Sequence, residues 1–65
     1  MLRTDSELNN TRQKLVELEQ RYEALRQGAE PDVRLRDLSM TSLKKLINQL
    51  REEIARYEAH QAANG

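Results

Sequence analysis

Cysteine, tryptophan and phenylalanine are absent from this 65-residue chain, and proline and histidine occur once each. Without cysteine there is neither a disulfide nor a thiolate metal site, and one histidine cannot hold a metal alone. The expected cofactor set is therefore empty. Charge of one sign is also lacking: eleven basic side chains face eleven acidic ones, for a net charge of zero. That balance argues against nucleic acid as a partner and against a polybasic membrane anchor. No apolar run approaches the roughly 18 residues that a transmembrane helix needs. The opening Met1-Leu2-Arg3-Thr4-Asp5 has no apolar core of a secretory signal, so the expected location is cytoplasmic. Asn9-Asn10-Thr11 matches a glycosylation acceptor by letters only and reads as chance.

What the chain does have is two apolar ladders. Leu8, Thr11, Leu15, Leu18, Tyr22 and Leu25 recur in alternating steps of three and four, and so do Met40, Leu43, Ile47, Leu50, Ile54 and Tyr57. This heptad rhythm turns the apolar seam of one helix toward another, as in a coiled coil. The spacing predicts an all-α fold of a single domain, an antiparallel two-helix hairpin. Its first helix covers about 5–27, a connection covers 28–38, and a second helix covers about 40–60. Thr4, Asp5 and Ser6 are all candidate caps for the first helix, and Glu7 stands at the capping-box spacing from Thr4. Gly28 is the natural stop. Ser39 reads as the cap of the second helix, with Leu38 and Leu43 placed as a hydrophobic staple. The tail from His60 loses the ladder and is expected to fray.

The connection contains Pro31, which pushes Glu30 away from helix. Val33-Arg34-Leu35-Arg36 then alternates apolar and basic. It reads either as a short extended piece or as an irregular loop whose Val33 and Leu35 plug the end of the core. The loop is preferred, because an isolated strand has nothing to pair with in a monomer; in a dimer two copies could pair. Folding the helices antiparallel pairs Leu25 with Leu43, Tyr22 with Leu46 and Ile47, Leu18 with Leu50, Leu15 with Ile54, and Thr11 with Tyr57. The tyrosine hydroxyl is expected near the Thr11 hydroxyl. Arg12, Glu19 and Arg26 lie along one side of the first seam, and Glu7, Lys14 and Arg21 along the other, where interhelical ion pairs set partner and orientation.

A chain this short rarely gains more than a few kcal/mol from one core, so it usually adds a disulfide, a metal or self-association. With the first two excluded, association remains. Leu46 widens the second ladder beyond what one helix covers, which predicts a second copy and a twofold four-helix bundle. The expected association seam is Leu8, Leu15, Leu18, Tyr22, Leu25, Leu43, Leu46, Ile47, Leu50, Ile54 and Tyr57. The expected partner is the chain itself as a homodimer, with one other protein as the alternative.

No residue set points to catalysis. His60 lies in the tail, and Glu52 and Glu53 are neighbours that do not share a helix face. No Glu-x-x-His pair and no Gly-rich phosphate loop occur. No enzyme is expected. Basic residues do gather toward the turn, and Arg34, Arg36, Lys44 and Lys45 form a candidate polar partner surface, interleaved with Glu30, Asp32 and Asp37. Aromatic residues do not accompany them, so single-strand stacking has no support. Lys44 and Lys45, near the expected start of a helix, oppose its dipole slightly.

Two stretches resemble known kinds of protein. Asp5-Ser6-Glu7-Leu8-Asn9-Asn10-Thr11, with the run Ser42 to Glu58, is similar to the helical hairpin that precedes a helix-turn-helix domain in bacterial antitoxin-like regulators. No helix-turn-helix follows here, so this resemblance implies association or partner capture in a regulatory system, without DNA reading. Val33-Arg34-Leu35 followed by Ser39 to Lys45 resembles the lead into the second helix of small head–tail joining proteins of lambda-like phages. That resemblance implies a structural connector in a virion, contacting neighbours in a ring. The expected function is thus a non-catalytic protein–protein interaction module, with the phage connector as the alternative.

Overall fold

The computed structural model describes residues 2–64, with side-chain surroundings for 2–61. Two helices, α1 (Asp5–Arg26) and α2 (Val33–Asn64), pack against each other, and no strand forms among the described residues. The molecule is a rod of 48 × 15 × 14 Å. At about 1.5 Å per residue, the 32 residues of α2 account for that whole length.

The ends of α1 are set by local chemistry. Thr4 is extended, and its hydroxyl oxygen accepts the Glu7 backbone N–H at 3.1 Å. Asp5 and Glu7 in the first turn also suit the positive end of the helix dipole. At the other end Gly28 takes φ +99°. Its N–H donates to the Leu25 carbonyl at 3.1 Å, and the Ala29 N–H donates to the Ala24 carbonyl at 3.0 Å. That pair of bonds is a Schellman motif, and it satisfies carbonyls that the last turn would leave open.

The second helix begins earlier than its ladder indicates. The expected connection at 28–38 shortens to residues 27–32, and α2 starts at Val33. Asp32 is the reason. Its Oδ1 accepts the N–H groups of Arg34 at 2.9 Å and Leu35 at 3.3 Å, and its carbonyl accepts the Arg36 N–H at 2.9 Å. Glu30 Oε1 in turn accepts the Asp32 N–H at 3.1 Å. Asp32 therefore caps the helix, and Ser39 lies inside it. Val33 to Arg36 is neither an extended piece nor a loop, and Val33 and Leu35 are exposed rather than plugged into the core. Leu38 is 67% exposed, so the expected staple against buried Leu43 does not form. The far end also differs. The helix continues to Asn64, past the expected fraying point at His60. Alanine and glutamine favour helix there, and no glycine or proline interrupts before Gly65, which is outside the described residues.

Orientation and register follow from two ion pairs across the helices. Arg12 of α1 pairs with Glu58 of α2 at 2.6 Å, and Glu19 pairs with Arg51. One heptad forward on α1 matches one heptad back on α2, which makes the pair antiparallel. In this register the last turn of α1 comes level with Lys44. The start of α2 therefore projects past the end of α1, and only the connection 27–32 runs beside it. This projection is why Val33, which lies on the core face two heptads before Ile47, stays in water; Leu35 and Leu38 also face away from that side.

Candidate association surface

The core is thin. Leu18, Leu43 and Ile47 form its buried centre, with Leu15, Tyr22, Leu25 and Leu50 packed against them half-buried. Leu8 and Tyr57 are buried toward the open end, and Ile54 is half-buried there. Even the five buried apolar residues keep 6–8% of their surface in water. Of the expected seam, Leu46 stands apart, 46% exposed.

Tyr57 is placed differently from the expected contact with Thr11. Its Oη donates to Asp5 Oδ1 at 2.6 Å. A carboxylate is a stronger acceptor than a threonine hydroxyl, and the long phenol reaches it. That hydrogen bond, then burial, then the carboxylate's charge hold the Tyr57 phenol above its ordinary value of 10.0.

The two sides of the hairpin are unlike. Helix geometry turns each successive residue by about 100°. Relative to buried Ile47, Lys44, Asn48 and Arg51 fall on one side, and Leu46 falls on the other. On the first side Glu19, Tyr22, Glu23, Lys44, Asn48 and Arg51 line a shallow cleft of about 310 Å³. This is the flank closed by the Arg12–Glu58 and Glu19–Arg51 pairs. Exposed pairs of this kind contribute about 0–1 kcal/mol each, so their weight is in register more than in stability. Arg26, expected in the same row, pairs within its own helix with Glu23 at 3.3 Å.

The second flank carries Glu7, Lys14 and Arg21 of α1 beside Leu46 and Glu53 of α2. Among the described residues none of these four charged side chains makes an ion pair. Leu35 and Leu46 are eleven residues apart, about three turns, and so share nearly one azimuth. Leu38 borders them. Together they form an exposed apolar ridge. Val16, 51% exposed, is alone on the far side of α1.

The expected polar partner surface is not a single patch. Arg36 is half-buried and forms a 3.7 Å pair with its neighbour Asp37. Lys44 lines the ion-paired flank, while Arg34 and Lys45 are exposed on the outer side of α2. The cause is the helical course of this segment, which spreads the four over about half a circumference. With α2 starting at Val33, Lys44 and Lys45 lie far from its N-terminus, so their expected conflict with the dipole disappears.

At the open end Leu2 and Arg3 meet Glu53, Arg56, Tyr57, His60 and Gln61 around an open cleft of about 530 Å³. His60 is thus on a helix face rather than in a loose tail. No hydrogen bond joins it to a carboxylate among the described residues. Among those residues no group of three His, Cys, Asp or Glu side chains is placed to hold a metal ion.

Comparison with known proteins finds no matching family model, no matching curated sequence and no matching solved structure. Functional inference therefore rests on this surface. No helix among the described residues is long and apolar enough to cross a membrane.

Proposed function

We propose that the chain is a non-catalytic protein–protein interaction module that works by completing a helix bundle, with a homodimer as its first product. One observation carries this reading: the hairpin's core is too thin for its apolar content. Among the described residues five apolar side chains are buried, while Val16, Val33, Leu35, Leu38 and Leu46 stay about half or more exposed. Three of those five, Leu35, Leu38 and Leu46, gather along one side of α2. Scattered exposed leucines are ordinary, but a clustered row marks a contact surface. Each exposed leucine would gain on the order of 1 kcal/mol from further burial, a large share of the stability of so small a fold. The balanced charge of the chain favours a protein partner over nucleic acid.

Sedimentation equilibrium over a dilution series, with helicity measured in parallel, tests this. A mass above 7.6 kDa that falls on dilution together with the helix signal is the expected result. A fully helical monomer whose melting midpoint does not change with concentration needs no partner, and would refute the reading.

A further inference from the structure

We infer that the surface covered in the dimer is the Leu35–Leu38–Leu46 flank, and that its occupant is the same flank of a second copy. The inference rests on the association reading above and adds the face and the partner. The opposite flank is already used: Arg12 and Glu19 are engaged with Glu58 and Arg51 of their own chain. Docking there would have to cover two ion pairs that now stand in water, at a desolvation cost.

Area points to a partner of this size. A compact folded monomer of 7.6 kDa should expose about 4,300 Å², whereas this chain exposes 5229 Å². The excess, about 900 Å², is close to the roughly 800 Å² that each side of a standard interface buries. It arises from the rod shape of 48 × 15 × 14 Å. A second rod laid alongside would roughly double the width, which corrects that shape.

Charge points to a second copy rather than to an acidic or basic partner. Along the edge of the flank that faces α1, the charged groups without ion partners among the described residues are Glu7 and Glu53 against Lys14 and Arg21, two of each sign, while Arg34 and Lys45 lie beyond Leu38 on the outer side. A surface with both signs in equal number can be complementary to itself under a twofold axis. Around the ridge stand small or uncharged residues, Ser42 and Gln49, which cost little to cover. Leu46 is at the centre of this surface, with half-buried Leu50 beside it.

Two pairs of variants test the inference in the full chain. Leu46→Glu places a charge at the centre of the face, and Val16→Glu places the same charge on the far side of α1. In sedimentation equilibrium Leu46→Glu should weaken dimerisation by about tenfold or more, as for a central interface residue, and Val16→Glu should leave it unchanged. Because the chain has no cysteine, Leu46→Cys and Val16→Cys each introduce a single thiol. Mild oxidation should join two copies through Cys at 46 rapidly and through Cys at 16 slowly or not at all. The thiol pair decides the matter if the glutamate variant fails to fold. If the wild-type chain dimerises but Leu46→Cys and Val16→Cys crosslink equally, or Val16→Glu disrupts the dimer and Leu46→Glu spares it, the assigned face is overturned and the association reading stands. A stable, concentration-independent monomer would overturn both.

Discussion

Leu18→Ala and Leu46→Ala remove the same three carbons from places of very different burial. Leu18 keeps 8% of its surface in water and Leu46 keeps 46%. At about 0.8 kcal/mol per buried carbon, the transfer cost is about 2.2 kcal/mol for Leu18 and about 1.3 kcal/mol for Leu46. Leu18 packs on Leu43 and Ile47, and those side chains can close the resulting void only in part. The cavity brings its expected cost to about 3–5 kcal/mol. Leu46 leaves no void, because water already reaches it. A chain of 65 residues has a total stability of about 3–10 kcal/mol, so Leu18→Ala removes much or all of it. Urea unfolding followed by circular dichroism, repeated from micromolar to hundreds of micromolar chain, measures both. At the lowest concentration Leu18→Ala should cost clearly more than Leu46→Ala. At the highest, the Leu46 cost should grow, because the second copy then covers it. A Leu46→Ala cost equal to that of Leu18→Ala under dilute conditions would refute the burial argument.

Asp32→Ala leaves the Arg34 and Leu35 N–H groups without their acceptor; it should cost about 1 kcal/mol and speed hydrogen exchange in the first turn of α2. Unchanged exchange there would return the helix start to Ser39. Gly28→Ala meets no atom within 4 Å but forces a side chain into φ +99°, so a thermal melt should show a loss of about 1–2 kcal/mol from backbone strain alone; a neutral result would mean the Schellman turn is dispensable. In a Tyr22→Phe background, absorbance titration should place Tyr57 above 10.0, and Asp5→Asn should bring it down. The sign for stability follows from linkage: a phenol raised in the fold stabilises it fully below the unfolded value and ceases to do so as pH rises through the folded value. An unmoved Tyr57 titration in Asp5→Asn would remove the hydrogen bond as its cause.

The two-helix fold was legible because its signals are local and repeated. Each ladder contributes six residues at one period, which strand and loop alternatives cannot mimic. The start of α2 was misread for the same physical reason in reverse. Val33-Arg34-Leu35-Arg36 is too short a window to separate a period of two from one of 3.6: Val33 continues the seven-residue spacing of Met40 and Ile47, while Leu35 falls off the core side. The missed signal was Asp32 directly after Pro31, a strong cap placed at the end of a helix-breaking pair. The partner of Tyr57 was missed because a contact map drawn from Cα levels ignores how far a phenol reaches and which acceptor is stronger.

By itself the sequence determined that there are two helices, the face each one buries, and the stop at Gly28, and it narrowed the first cap to Thr4, Asp5 or Ser6, because these depend on groups within a few residues of one another. It also determined that neither a disulfide nor a thiolate metal site could support the fold. Which flank is closed was decided only by the tertiary structure. Arg12 and Glu19 were legible as one row beside the seam, but their partners were not until the antiparallel register placed Glu58 and Arg51 within reach. That register also left the start of α2 projecting past α1, so that Val33, on the core face, stays in water, while Leu46 is exposed by its azimuth on the open flank. Register is a property of two helices at once, set by the sum of contacts along their shared length. No stretch of one helix contains it.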